Sequence, residues 1–237
     1  MDSSIRSVGV IGRGAFGLFA LSLIPSSITA HSFNLGDSEE VFLDVARCDV
    51  VVLAIPLDAY EGVLLRLAPH LHHDSLLVDV CSVKLRPTEI IHKLLPKHKN
   101  ILLSHPLFGP ETYTQDKTSA TLVVCSKLTG KSKGLIDYCA AELSMEVVRM
   151  TPDAHDKEMM FVHALTFFIA RGLRGFKLDQ LTLETPSFRH IKQLAHLDKV
   201  HSQELFETIE LGNPYAAKAR GELMVMLERA NASLERL

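Results

Sequence analysis

The side chains able to do chemistry sit where apolar runs stop. His105 lies in Ser104-His105-Pro106-Leu107-Phe108-Gly109-Pro110-Glu111-Thr112, directly after Ile101–Leu103. An imidazole titrates near ~6.5, so it can accept a proton at neutral pH, a contribution of roughly 10²–10⁴-fold to a rate. A hydrogen-bonded histidine at a strand end is the alternative reading. Ser82 stands in Asp79-Val80-Cys81-Ser82-Val83-Lys84, after the run Leu76–Val78, and Ile55-Pro56 closes the run that begins at Val50. Gly12-Arg13-Gly14-Ala15-Phe16-Gly17 follows Val8–Ile11 and opens the helical run Phe16–Leu23. Glycines at that spacing allow a tight turn, close approach of a pyrophosphate, and close helix–strand packing, with the amides of the helix start facing the phosphate charge. Glycine-rich turns without a ligand are common, but a strand immediately before the turn is the context of a dinucleotide site. The chain has 12 histidines. His70, His72 and His73 read as solvated surface, and with no cysteine or carboxylate completing a set, no metal site is expected.

Positioning these groups needs a sheet. Apolar runs at Val8–Ile11, Ile28–Ser32, Val50–Ile55, Leu76–Val80, Ile101–Leu103, Thr121–Cys125 and Glu146–Arg149 read as strands. Helical patterns at Ser38–Ala46, Asp58–Leu67, Pro87–Leu95 and Ser132–Leu143 lie between them. The alternation predicts an α/β, Rossmann-type, mostly parallel sheet with helices on both faces, and ligands beyond the strands' carboxyl ends. The character changes at Thr151-Pro152-Asp153, where Thr151 reads as an N-cap with proline at the first helical position. Beyond it the periodicity is helical: Asp156–Arg174, Pro186–Leu197, Ser202–Leu211, and Pro214 onward. The expected division is a dinucleotide-binding domain at 1–151 and an all-helical substrate and dimerisation domain at 152–237. Phe161, Leu165, Phe168, Ile169, Leu223, Met226 and Leu227 exceed what so small a bundle can bury, so a homodimer through this half is expected.

Composition narrows the class. The chain is 47% hydrophobic with net charge −3 and no lysine- or arginine-rich block, so no nucleic-acid or membrane partner is expected. Cys48, Cys81, Cys125 and Cys139 form no C-x-x-C pair and read as free thiols in a reducing cytosol. With no basic leader and no apolar run of about 20 residues, the expected location is cytoplasmic.

"DVCSVK" at Asp79–Lys84, "SHPLFGPET" at Ser104–Thr112 and "HDKEMMFVHALTFFIARGL" at His155–Leu173, with the glycine turn, resemble the prephenate/arogenate dehydrogenases of tyrosine biosynthesis. The resemblance covers nearly the whole chain and is strongest from Val50 to Leu173. It implies NAD(P)-dependent oxidative decarboxylation of a cyclohexadienol. On the matching positions, His105 would be the base that accepts the ring hydroxyl's proton. Ser82 would hydrogen-bond that hydroxyl or the nicotinamide amide. Such a substrate carries two carboxylates, which calls for a bidentate cation. "TPSFRH" at Thr185–His190 resembles the segment that carries a substrate-binding arginine, so Arg189 is the candidate, a solvated helix arginine being the alternative. His163 falls where relatives place a substrate-side glutamine or histidine, though a core histidine would look the same. Thr112 joins the substrate set. His155-Asp156 matches the family but reads as a helix start rather than a catalytic pair. Phe167 stands where relatives often have a second histidine.

The cofactor-binding set is Gly12, Arg13, Gly14, Ala15, Phe16, Gly17, Ser32, Ile55 and Pro56. Asp37 is near the count for an acid on the NAD ribose, but Ser38-Glu39-Glu40 after it looks like a helix start. Plant-type relatives carry "HS" followed by arginine and prefer NADP; here Phe33 replaces that arginine, while Arg13 could reach a 2′-phosphate. NADP is the expected cofactor and NAD the alternative. Two competing readings stand beside the enzyme: another two-domain NAD(P) reductase of the hydroxyacid or pyrroline-carboxylate kind, and a non-catalytic dinucleotide-sensing protein.

Overall fold

The computed structural model describes residues 5–115 and 120–235. The chain divides into two compact units, Met1–His155 and Asp156–Leu237.

In the first unit, seven strands form one sheet: β1 (Ser7–Ile11), β2 (Thr29–Phe33), β3 (Val50–Leu53), β4 (Leu76–Asp79), β5 (Ile101–Pro106), β6 (Thr121–Val124) and β7 (Glu146–Arg149), in the order β2-β1-β3-β4-β5-β6-β7. All neighbours are parallel except β5 and β6. Between them run α1 (Ala15–Ser22), α2 (Glu39–Ala46), α3 (Tyr60–Leu67), α4 (Leu85–Leu94), α5 (Pro110–Gln115) and α6 (Gly130–Ala141). Alternate residues of the inner strands enter opposite cores. Val51 and Leu53 of β3 join Phe42 and Val45 of α2 and Leu64 of α3. Val50 with Val78 and Leu102 joins Phe19 of α1 and Ile136 of α6. With both faces covered, the inner strands read as unbroken apolar runs rather than alternating ones.

The register aligns Ile11, Leu53, Asp79 and Leu103 across four parallel strands, so their carboxyl ends form one edge. The short helix α5 lies between β5 and β6, where the sequence pattern predicts no helix.

The second unit is helical. α7 (Pro152–Met159) straddles the division, and Thr151 Oγ1 accepts the Ala154 amide at 3.1 Å, the cap that the sequence proposed. A π-helical turn follows at Met160–Leu165, then α8 (Thr166–Leu173), α9 (Pro186–Val200), α10 (Gln203–Gly212) and α11 (Ala216–Leu234). One continuous helix was expected over Asp156–Arg174; the π turn divides it. Its extra residue changes the buried spacing from Met159 directly to Ala164, after which Phe167 and Ala170 resume the three-residue step. Phe167 and Ala164 pack with Ile209 and Ala216 into this unit's core. In the same unit, buried Asp198 accepts hydrogen bonds from Arg171 and Arg174. Burial pushes the Asp198 carboxyl up, but those two guanidinium groups outweigh it and hold the group below its usual range. Among the described residues no helix is long and apolar enough to cross a membrane.

Candidate active site

The glycine turn opens the carboxyl edge. Gly12 has φ +103° and donates to Phe33 O at 2.8 Å; a Cβ there would lie 2.1 Å from Ala54 O. Gly17 packs α1 against the turn so closely that a Cβ would meet Gly12 O at 1.9 Å. No atom lies within 4 Å of a Cβ built on Gly14, the N-cap of α1, where no side chain caps the helix. Two glycines therefore hold the fold and the third leaves room in front of uncapped amides, the cradle a pyrophosphate needs. Arg13 and Ala15 are exposed beside it, and Phe16 packs inward against the core that contains Phe19. Ile55 lies against the turn, its Cγ2 being 3.0 Å from where a Gly12 Cβ would stand, and Pro56 next to it is exposed.

Arg13 reaches Asp37, with one guanidinium nitrogen 2.6 and 2.8 Å from the two carboxylate oxygens, while Asn34 N donates to Asp37 at 2.8 Å. The Asn34 amide and the Arg13 charge hold the Asp37 carboxyl below its ordinary value. Ser32 is half-buried on β2, level with Val10 of β1. Phe33 is buried edge-on against Phe42, with the Arg66 guanidinium 5.0 Å from its centroid, so it does a core residue's work.

β4 and β5 carry the reactive candidates side by side. Asp79, fully buried at the end of β4, accepts from Tyr60 Oη at 2.5 Å and from Cys81 N at 3.0 Å. Lys84, also fully buried, donates to Asp79 Oδ2 and to the carbonyl of Ser104, whose own hydroxyl donates to Asp79 O at 2.9 Å. Desolvation first, then the neighbouring Asp79 charge, raises the Tyr60 phenol well above its ordinary pKa, keeping it a neutral donor. The turn with half-buried Ser82 is thus tied to the residue preceding His105.

His105 is 3% exposed, and its Nδ1 lies 2.9 Å from Nε2 of His155, which is fully buried in the first turn of α7. The sequence reading set His155 aside as part of a helix start. Its separation of 50 residues closes because β6 runs antiparallel to β5 and β7 parallel to β6, placing His105, Val123 and Val148 in one row. The signal available was the shared motif His155-Asp156.

The remaining candidates have local partners. Thr112 is exposed, its hydroxyl accepting from Gly109 N at 2.9 Å and donating to Gly109 O at 3.2 Å. In the second unit, His163 lies in the π turn with its ring 5.0 Å from Phe167, and exposed Arg189 pairs with Glu184 at 3.6 Å. The expectation that no carboxylate joins the His70–His73 cluster needs correction. Asp74 stands beside His72 and His73, with the three donor atoms within 4.8 Å of one another. All three are exposed and precede β4, at the amino end of the strands rather than the carboxyl edge.

A mostly parallel sheet with an open glycine cradle, and with Ser82 and His105 along the same edge, defines a Rossmann-like fold. Residues 25–129 match the family model described as prephenate dehydrogenase, nucleotide-binding domain. The chain is 26% identical over its whole length to arogenate dehydrogenase 1 of Arabidopsis thaliana, a chloroplastic protein of which it spans 39%. It is 28% identical over 84% of its length to the T-protein of Enterobacter agglomerans, of which it spans 54%. Prephenate dehydrogenase from A. aeolicus, solved with hydroxyphenyl propionate and NAD+, shares the fold at TM-score 0.72 and 19% identity, with 100% of this chain and 93% of that one covered. Over residues 25–129 the chain thus resembles the nucleotide-binding domain of prephenate dehydrogenases.

Proposed function

We propose that the protein is an NAD(P)-dependent dehydrogenase that oxidatively decarboxylates prephenate or arogenate to 4-hydroxyphenylpyruvate or tyrosine. The observation that carries this reading is the position of His105: buried, on the carboxyl edge of the sheet, on the strand beside the Ser82 turn and in the same unit as the glycine cradle. When bound, the nicotinamide ring supplies the hydride acceptor. His105 takes the proton of the substrate hydroxyl, and Ser82 holds that hydroxyl or the nicotinamide amide in line, the positional part of the rate enhancement. Loss of carbon dioxide makes the ring aromatic and the reaction effectively irreversible. Arg189 is assigned the ring carboxylate, for which it would exchange its exposed partner Glu184. His163 and Thr112 complete the proposed substrate set.

Gly12, Gly14 and Gly17, with Arg13, Ala15, Phe16, Ser32, Ile55 and Pro56, form the proposed dinucleotide set. NADP is the proposed cofactor and NAD the alternative. Arg13 offers a cation to a 2′-phosphate, whereas Asp37 on the same guanidinium offers a carboxylate to a 2′-hydroxyl. The proposed assembly is a homodimer through the helical unit.

A matrix of prephenate and arogenate against NAD and NADP, followed by absorbance of the reduced cofactor, tests the reaction and the cofactor together. Turnover in at least one combination is expected, with NADP faster. His105→Asn should lower turnover by about 10²–10⁴-fold while dinucleotide affinity stays nearly intact. Preserved chemistry with lost nucleotide binding in that variant would overturn the assignment.

A further inference from the structure

The contact between His105 and His155 has a chemical consequence. Two ring nitrogens 2.9 Å apart share one proton, so the tautomers of the two rings are linked. The rings are nearly perpendicular, 68° between planes with centroids 5.1 Å apart, so this is an end-on nitrogen contact rather than stacking. Both side chains are buried, and the backbone on each side is fixed. His105 lies opposite Val123 in the β5–β6 ladder, and His155 N donates to Thr151 O at 2.9 Å in the first turn of α7.

We propose that His155 is a positioning residue for His105: its Nε2 accepts from His105 Nδ1–H and so leaves His105 Nε2 as the basic nitrogen. The inference rests on the dehydrogenase reading and deepens it. A neutral imidazole carries one N–H. If that hydrogen sits on Nε2, the ring can offer substrate a donor but no lone pair there, and it cannot act as the base. Holding the hydrogen on Nδ1 removes that inactive form. When His105 Nε2 takes the hydroxyl proton, the ring becomes an imidazolium and its Nδ1–H hydrogen bond to neutral His155 becomes charge-assisted, hence stronger. The Nδ1 proton stays on His105 throughout; only the hydroxyl proton changes owner. The partner is thereby strongest when the charge has developed, which lowers the barrier rather than tightening substrate binding.

The test begins with ¹⁵N spectra of the full chain labelled at histidine, the His105 signals being identified by their loss in His105→Asn. In the wild type, His105 should be protonated at Nδ1; in His155→Leu it should move to the Nε2-protonated form that free imidazole side chains favour. This readout needs no turnover. In kinetics, His155→Leu should lower kcat roughly 10- to 100-fold with KM and dinucleotide affinity nearly unchanged. His155→Gln, whose Oε1 can still accept from Nδ1–H, should recover most of the loss. In a His105→Asn background, His155→Leu should cost nothing further, because the two act as one unit. An unchanged His105 tautomer in His155→Leu overturns the proposal, as does equal loss in the Gln and Leu variants or additive loss in the double variant. A wild type inert toward both substrates would instead sink the dehydrogenase reading, and the spectra would still decide the pairing.

Discussion

The three glycines of the N-terminal turn have separable jobs, and the differences are steric. A methyl group at Gly17 would meet a backbone carbonyl that cannot move without shifting α1 from β1, whereas one at Gly14 meets nothing in the protein. Gly17→Ala should therefore destabilise the fold by about 1–3 kcal/mol, the cost of overpacking a well-filled site. Gly14→Ala should melt like the wild type and yet bind dinucleotide roughly tenfold more weakly, about 1.4 kcal/mol, because its methyl group occupies the phosphate's place. Melting curves for both variants, paired with dinucleotide titrations, separate the two effects. If Gly14→Ala bound as tightly as the wild type, the cradle would not be where the pyrophosphate sits. At this scale the sequence was most legible at the glycines, whose spacing alone distinguishes their roles. It was least legible at Arg13, where the attachment to Asp37 depends on a turn conformation that residue types do not reveal.

At the scale of elements, β4 and β5 are joined by more than their ladder. Lys84 leaves the start of α4 to meet Asp79 and the Ser104 carbonyl in a space with no solvent access. Removing one partner of a buried pair strands the other charge, so Lys84→Met should cost about 3–5 kcal/mol, readable as a lowered denaturant midpoint. Replacing Asp79 and Lys84 together with apolar residues should cost less than Lys84→Met alone; an equal or larger loss would mean that packing, not charge, dominates the site. The inner strands were readable because buried parallel strands must be continuous apolar runs, and the cap at Thr151 announced α7. The π turn was hidden, since a five-residue step between Met159 and Ala164 looks like an imperfect helical period. The His105–His155 contact was hidden for a related reason: it requires β6 to run antiparallel to β5, and strand direction leaves no mark on a four-residue run such as Thr121–Val124.

For the whole molecule, the helical unit has a small core and a large apolar surface. Its core consists of Ala164, Phe167, Ile209 and Ala216 with Leu205 and Phe206 against them. Along α11, Met226 is 63% and Leu227 54% exposed, and in the π turn that packs on this helix Phe161 is 49% exposed. Single exposed apolar side chains need no explanation, but several on two packed elements form the patch on which the proposed dimer rests. A second copy of the same chain is the occupant that a symmetric, self-complementary helical interface would supply. The wild type should sediment at about twice the 26.3 kDa mass of one chain at micromolar concentration. Met226→Glu should shift it to the single-chain mass while the sheet unit keeps its dinucleotide affinity, since the glycine cradle and the Ser82 turn belong to Met1–His155. A wild type that sediments as one chain would refute the dimer, and α11 would then need a partner of another kind.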